Sequence, residues 1–166
     1  MNAIPTAYSG YNFSFDAAVV GAGHAGLEAA LALARRGFQT IVITQSIDAI
    51  CRLSCNPSIG GISKGNIVRE IDALGGEMAR LADQTMIQFR LLNRSKGPAV
   101  QAPRTQADKQ LYSSLARRVL EREPNLYLLQ DTVVKLETVE TPHKRRKLRA
   151  LVTQRGRRIP VRTAVL

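Results

Sequence analysis

The chain has 166 residues, of which 45% are hydrophobic, and it carries two cysteines and a net charge of +11. This length and composition fit one globular domain with a sizeable core. They exclude a membrane-spanning helix, because no apolar run is long enough, and a disulfide-stapled secreted domain, because two cysteines are too few. The first ten residues lack the pattern of a signal peptide, so we expect a cytoplasmic protein with reduced thiols.

The positive charge is concentrated at one end of the chain. The first 140 residues carry 15 of the 24 basic residues and all 13 acidic residues, a net charge of +2. The nine remaining lysines and arginines follow Glu140 with no acid among them. A basic segment of this kind can attract nucleic acid, and it can equally be a solvated hairpin whose acidic neighbours lie elsewhere in the fold.

The first predicted elements form one βαβ unit. After a loose tail (residues 1–14), an apolar strand over Phe15–Val20 runs into a glycine-rich turn. Residues 27–36 are rich in alanine and leucine, which favour a helix, and Gly37 is a suitable C-terminal cap. The β-branched residues 39–44 give a second strand. We expect the two strands to be parallel and joined by a right-handed crossover.

The middle of the chain predicts a long irregular stretch followed by helices and strands. Residues 45–61 lack periodicity and contain turn signals, which is typical of a functional loop or of a disordered segment. Helices are expected over residues 64–74 and, more briefly, 78–83, a strand over 87–92, and extended chain over 97–103. An amphipathic helix is predicted over residues 105–123, with one apolar face formed by Leu111, Leu115, Val119 and Leu120.

The last quarter of the chain predicts strands. These cover residues 126–129, 133–139, 148–153 and 159–166, and the last two are joined by a turn at Arg155-Gly156. We expect an α/β fold of the Rossmann type, with Phe15–Val20 in the middle of a central parallel sheet and a β-meander after Val133. The domain, residues 15–166, is expected to be incomplete, because an apolar strand with nothing after it rarely closes a domain.

The glycine turn has the chemistry of a phosphate-binding loop. Gly21 permits a tight turn, Gly23 lets the backbone approach a pyrophosphate, and Gly26 lets the helix pack closely on the strand. The helix N-terminus presents N–H groups and partial positive charge to the anion. The pattern G-x-G-x-x-G is weak evidence alone, but here it lies between a predicted strand and a predicted helix.

One part of the general dinucleotide-binding pattern is missing. An acidic residue normally ends the second strand and binds the ribose hydroxyls. Thr44, Gln45 and Ser46 stand there instead, with Asp48 slightly beyond. Neutral side chains can still bind a ribose, yet this sequence does not favour an ordinary NAD site.

Longer motifs resemble those of the MnmG family, also called GidA. They include the turn Gly21-Ala22-Gly23-His24-Ala25-Gly26, the run Ser54-Cys55-Asn56-Pro57 with Gly60-Gly61-Ile62, residues 69–76 (REIDALGG), and the later segments 87–90, 95–100 and 106–108. The likeness extends from about Phe15 to the last residue. These longer motifs indicate a particular family far more specifically than the glycine turn does.

The resemblance implies a flavoprotein that acts on RNA. Family members bind FAD, use NADH as reductant and form homodimers. With a GTPase partner, MnmE, they place a carboxymethylaminomethyl or aminomethyl group on carbon 5 of the wobble uridine of certain tRNAs. By this resemblance Gly21, Ala22, Gly23, His24, Ala25 and Gly26 bind the FAD pyrophosphate, Val133 meets the adenine through its backbone, and Cys55 takes part in catalysis.

Two interpretations of Cys55 stay open at the level of sequence. Lys64 and the following helix N-terminus favour a thiolate at the rim of a flavin cleft. Many cysteines are instead small buried hydrophobes. Cys51 has no counterpart in the family motif and is expected to be structural. The two cysteines and two histidines lack the spacing of a metal site.

The chain is much shorter than family members, so whether it is an active enzyme alone is left open. A first hypothesis makes it the FAD-binding portion of the tRNA-modifying enzyme. A second makes it a stand-alone dinucleotide-binding module that acts through its basic end. A fragment of an ordinary NAD(P)- or FAD-dependent oxidoreductase is a further alternative.

Overall fold

The computed structural model describes residues 14–142 and 145–166. These residues divide into two compact units, one made of the chain up to Ile47 together with Arg118–Leu166, and the other made of Asp48–Arg117. The expected N-terminal tail lies, apart from Ser14, outside the described residues.

The first unit is built on a six-stranded sheet. Its strands are β1 (Phe15–Val20), β2 (Thr40–Thr44), β6 (Leu126–Gln130), β7 (Val133–Glu140), β8 (Arg146–Thr153) and β9 (Arg158–Val165), arranged in the order β6-β2-β1-β9-β8-β7. The four strands β6, β2, β1 and β9 are parallel, and β9, β8 and β7 are antiparallel neighbours. The predicted parallel sheet with Phe15–Val20 in its middle is therefore confirmed, as is the β-meander.

Strand β9 belongs to both parts of this sheet. Its first residues pair antiparallel with β8, so that Ile159 lies opposite Leu151. From Val161 onward it pairs in parallel with β1, beginning at Phe15. One continuous strand thus links the meander to the parallel half of the sheet.

The core of the first unit is formed by apolar side chains of the sheet. Phe15, Ile41, Ile43, Leu151 and Ile159 are almost completely buried in one cluster. Burying a side chain of this size contributes about 1.5–3 kcal/mol relative to exposure. The near-continuous apolar runs of β1 and β2 are typical of parallel strands that are covered on both faces.

Helix α1 (His24–Arg35) covers this sheet with one apolar stripe. Leu27, Ala30, Leu31 and Ala34 are buried at helical spacing. The helix ends where Gly37 adopts a φ of +86°, and the Gly37 N–H donates to the carbonyl of Ala34. This is the glycine stop that the sequence predicts.

The second unit contains a small antiparallel sheet, two complete helices and the beginning of a third. The strands β3 (Ser58–Gly60), β4 (Met86–Leu92) and β5 (Ala102–Ala107) have the order β3-β5-β4. The complete helices are α2 (Lys64–Ala73) and α3 (Met78–Thr85). A 3-10 turn at Pro98–Val100 interrupts the stretch that was expected to be extended.

The predicted helix over residues 105–123 is wrong at its start. Residues 105–107 complete β5, where Thr105 pairs with both Ile59 and Phe89. Helix α4 (Lys109–Arg122) begins only after Asp108, whose carboxylate accepts hydrogen bonds from the N–H groups of the second and third helical residues. Cross-strand pairing and this cap outweigh a helical periodicity that runs on through the strand.

The apolar face of α4 also differs from the expected one. The buried positions are Tyr112, Ala116 and Leu120, whereas Leu111 is 42% exposed. Of the expected face only Leu120 is fully buried. The helix is thus rotated by about one residue from the predicted orientation.

Candidate functional site

The glycine loop connects the end of β1 to the start of α1. Gly21 has a φ of +101°, a conformation that side-chain-bearing residues rarely adopt. Its N–H donates to the carbonyl oxygen of Ile43 at 2.8 Å, which ties the loop to the end of β2. The chain therefore turns sharply at the carboxyl edge of the parallel sheet, where α/β folds bind their ligands.

The other two glycines of the motif have opposite surroundings. A Cβ atom added to Gly26 would collide with the carbonyl group of Gly21, so this position needs glycine for the helix to pack on the loop. A Cβ atom added to Gly23 would meet no protein atom within 4 Å. The absence of a side chain at Gly23 is therefore not required by the packing, and it leaves open space in front of the loop.

This open space lies at the N-terminus of α1. Gly23 is the N-cap, its carbonyl accepts from the Leu27 N–H at 2.8 Å, and no acidic residue occupies the first turn. The first N–H groups of a helix have no partner within the helix, and the helix dipole makes this end favourable for an anion. The loop thus has both the room and the polarity that a pyrophosphate needs.

His24 opens the helix beside this loop. Burial lowers the pKa of His24 below its ordinary value of 6.5, although Glu28, one turn along the helix, acts in the opposite direction. The imidazole is therefore mainly neutral at pH 7. It lies in the loop without adding a full positive charge to it.

The segment that leads into Val133 lies at the same edge of the sheet as the glycine loop. It follows β6, whose last residues lie beside the end of β2, and the Asp131 N–H donates to the carbonyl of Thr44 at 3.0 Å. The segment after β6 and the glycine loop after β1 therefore both begin at the carboxyl ends of parallel strands, with β2 between them. All the residues that the sequence predicts to bind the cofactor belong to the first unit.

Asp131 is a residue that the sequence reasoning missed. Its burial acts against ionisation, but hydrogen bonds from the Thr132 N–H, the Thr153 side chain and the Arg155 backbone, with the charge of Arg155, hold the pKa of its carboxyl below the ordinary value. The bond from the Thr132 N–H to Oδ1 measures 2.8 Å. The backbone connects the same two segments, since the Gln154 N–H, in the turn after β8, donates to the Thr132 carbonyl at 2.8 Å just before Val133. An acid directly after a buried strand was the available signal.

The neutral residues at the end of β2 shape a turn. The Thr44 hydroxyl donates to the backbone carbonyl of Ser46 at 3.3 Å. The residue that replaces the usual acid is thus engaged with its own backbone.

Cys55 belongs to the second unit. It is exposed, in a loop that precedes β3, and the N–H of Ser58 and the hydroxyl of Ser54 both donate to the carbonyl of Asn56. Cys51 is fully buried, which agrees with a packing role. Of the two interpretations of Cys55, the buried hydrophobe is wrong for this chain. Its expected place at the rim of a flavin cleft stays a prediction.

The loop that carries Cys55 is held by strand pairing on its C-terminal side. Ile59 lies opposite Thr105 in the antiparallel sheet, and the Gly61 N–H donates to the Pro103 carbonyl at 2.8 Å. The Arg104 guanidinium donates to the Ser58 hydroxyl at 3.2 Å. An exposed thiol is thus placed on a loop with a fixed base.

Neither a metal cluster nor a membrane helix is found in residues 14–142 and 145–166. No group of three or more His, Cys, Asp or Glu side chains converges there. No helix of these segments is long and apolar enough to cross a membrane.

The glycine loop, the parallel sheet and the meander together define a Rossmann-type fold of the dinucleotide-binding class. Residues 16–166 match the family model described as glucose inhibited division protein A, GIDA. The chain belongs to this family, as its motifs predict.

Named relatives and solved structures agree with this assignment. The chain is 58% identical over 161 residues to the Treponema denticola protein called tRNA uridine 5-carboxymethylaminomethyl modification enzyme MnmG, and covers 26% of it. It superposes on the GidA structure from Aquifex aeolicus with a TM-score of 0.84 and 46% identity, covering 91% of this chain and 24% of that one. The chain thus spans about a quarter of the length of these relatives.

A more distant likeness concerns the fold alone. The structure of pqsL from Pseudomonas aeruginosa, described as a probable FAD-dependent monooxygenase, has a TM-score of 0.63 at 16% identity. The matched region covers 92% of this chain and 42% of the pqsL chain. The architecture is therefore shared well beyond the family.

Proposed function

We propose that this chain is the FAD-binding portion of an enzyme that modifies carbon 5 of the tRNA wobble uridine. With a GTPase partner of the MnmE kind, that enzyme adds a carboxymethylaminomethyl or aminomethyl group. NADH is the reductant, the full-length protein is a homodimer, and the reaction takes place in the cytoplasm. The observation that carries this proposal is the 58% identity to a named tRNA-modifying relative over nearly the whole chain.

The first unit has the features that FAD binding needs. The backbone of Gly21, Ala22, Gly23, His24, Ala25 and Gly26 would surround the pyrophosphate, with the N-terminus of α1 directed at it. The open space at Gly23 supports this assignment, because a side chain there would occupy the position of the phosphates. The backbone of Val133, which follows β6 after two residues, would meet the adenine.

When bound, FAD supplies the redox chemistry that the side chains of this chain lack. The chain itself orients the dinucleotide. The carbonyl of Ile43 fixes Gly21, and Asp131 fixes the segment before Val133. Both of these contacts lie at the carboxyl ends of the adjacent strands β2 and β6. The pyrophosphate and the adenine of FAD would therefore be held by one rigid sheet.

Cys55 is the residue to which we assign a catalytic role. Its thiol is exposed on a loop with a fixed base, where a uridine could approach it. A thiolate can add reversibly to a pyrimidine ring or accept and return a proton at carbon 5. Either step would need the thiol itself, since a hydroxyl is a much weaker nucleophile at neutral pH.

The role of Cys55 is tested in a full-length relative such as that of Treponema denticola. Replacing by serine the cysteine that matches Cys55 should abolish wobble-uridine modification and leave the flavin absorbance of the purified protein unchanged. A second variant, alanine at the position that matches Cys55, should give the same result, and thermal unfolding establishes that both variants are folded. Full activity of the first variant would refute the catalytic role, and loss of flavin would indicate a structural one.

A further inference from the structure

An open groove follows the outer strand of the meander. Its volume is about 530 Å³, and it is lined by five consecutive residues of β7, namely 135–139, together with Arg149 of β8 and Arg158 of β9. The strand β7 is the last strand of the six-stranded sheet, so the groove lies at the sheet edge. It is separate from the glycine loop, which lies at the end of β1.

Two irregularities in strand pairing determine what this groove displays. Glu137 lies opposite Ala150 and Thr138 opposite Leu148, so Arg149 is an extra residue without a partner on β7. Val134 is likewise an extra residue between the pairs of Val133 and Lys135. Such bulges redirect the side chain that they insert and twist the strand edge. The bulge at Arg149 thus places a guanidinium in the groove.

The groove carries an excess of positive charge. Lys135 and Arg149 are exposed and have no ion pair among the residues that the structure describes. Arg158 is bound to Glu137, the groove's one carboxylate, at 2.7 Å. The net charge of the groove is therefore +2. Beyond it, the exposed Arg146 and Lys147 open β8, where Arg146 faces Glu140.

We propose that this groove binds the phosphodiester backbone of RNA. Two unpaired cations beside the half-exposed Leu136 and Val139 suit a chain of phosphates joined by sugars. No aromatic residue lines the groove, so base stacking contributes nothing and recognition does not depend on sequence. The inference rests on the proposed function in one respect, since it takes the RNA to be the tRNA substrate.

A short fluorescein-labelled RNA stem-loop, titrated with this chain and followed by anisotropy, tests the inference. The double variant Lys135→Gln/Arg149→Gln removes both unpaired cations. The matched control, Arg36→Gln/Arg118→Gln, removes the same charge from exposed positions of the same unit that do not line the groove. A third variant, Lys135→Arg/Arg149→Lys, preserves the charge. Thermal unfolding establishes that each variant is folded.

The groove variant should bind the RNA more weakly, and the control and the charge-preserving variant should bind like the parent chain. The slope of log affinity against log salt concentration should fall by about 0.7 to 0.9 for each lost phosphate contact, whatever the RNA sequence. Equal weakening in both double variants would overturn the inference, because net charge alone would then explain binding.

Two further results would also overturn it. If the groove variant self-associates in light scattering but binds RNA normally, the cations only protect a sheet edge. If it loses binding to vesicles containing phosphatidylserine but keeps RNA binding, the partner is a membrane surface. Flavin absorbance of each variant measures FAD binding independently of RNA binding. Loss of RNA binding with FAD retained would concern the groove alone, and loss of FAD with RNA binding retained would concern the proposed function alone.

Discussion

Gly26 packs against the carbonyl group of Gly21 at a distance that excludes any side chain on Gly26. Helix α1 can leave the end of β1 only because of this close approach. Gly23, between them, contacts nothing in this way. The same motif therefore contains one glycine that serves the fold and one that is available to serve a ligand.

Substitutions at these two positions should have opposite effects. Gly23→Val should cost only about 1 kcal/mol of stability, as expected for loss of an N-cap glycine, while preventing FAD binding. Gly26→Val should cost at least the upper end of the range of about 1–3 kcal/mol for overpacking, because its neighbour is backbone. Denaturant unfolding and flavin absorbance measure the two effects. A Gly23→Val protein that binds FAD normally would contradict the assignment of the loop.

The two thiols should differ in their rate of chemical labelling. Cys55 is exposed and should react at once with a small thiol reagent in the folded protein, whereas the buried Cys51 should react only when the chain opens. Cys51→Ser and Cys55→Ser report the two sites separately. If Cys51 labels as fast as Cys55, the second unit is not packed as described.

Asp108 should stabilise the start of α4. Its carboxylate accepts from the N–H groups of Gln110 and Leu111, both at 2.9 Å. Asp108→Ala should lower the free energy of unfolding by about 0.5–2 kcal/mol, and Asp108→Asn by much less, since asparagine is also a good N-cap. Equal losses in both variants would show that the carboxylate acts in another way.

His24 should make stability depend on pH on the acidic side. Because its pKa is lowered in the folded state, the unfolded chain binds the proton more readily. Its contribution is complete above the ordinary pKa of 6.5 and is lost as the pH falls from there toward the folded-state pKa. The melting temperature of His24→Gln should therefore decline less over this interval than that of the parent chain. Parallel curves would contradict the burial of this imidazole.

The sequence predicted those parts of the fold that depend on local signals. The strand Phe15–Val20, the glycine turn and the stop at Gly37 follow from apolar runs and glycine positions a few residues apart. The start of α4 was mispredicted because Thr105 joins a strand through pairing with residues distant along the chain.

The candidate site likewise combines residues that local sequence signals predict with contacts that form only in the folded chain. Gly23 follows from its motif, and the structure adds the open space around it. The anchoring role of Asp131 depends on Thr153 and Arg155, which approach it only after the sheet has formed. The expectations for Val133 and Cys55 came from the resemblance to a known family, and only for Cys55 did the neighbouring Lys64 and helix N-terminus add a local reason.

The most direct measurement of the central claim is the affinity of the purified chain for FAD and for NAD under the same conditions, followed by flavin fluorescence and calorimetry. The glycine loop, the neutral residues at the end of β2 and the family membership lead us to expect measurable FAD binding that is tighter than NAD binding and is lost in Gly23→Val. Tight binding of NAD with none of FAD would contradict the account.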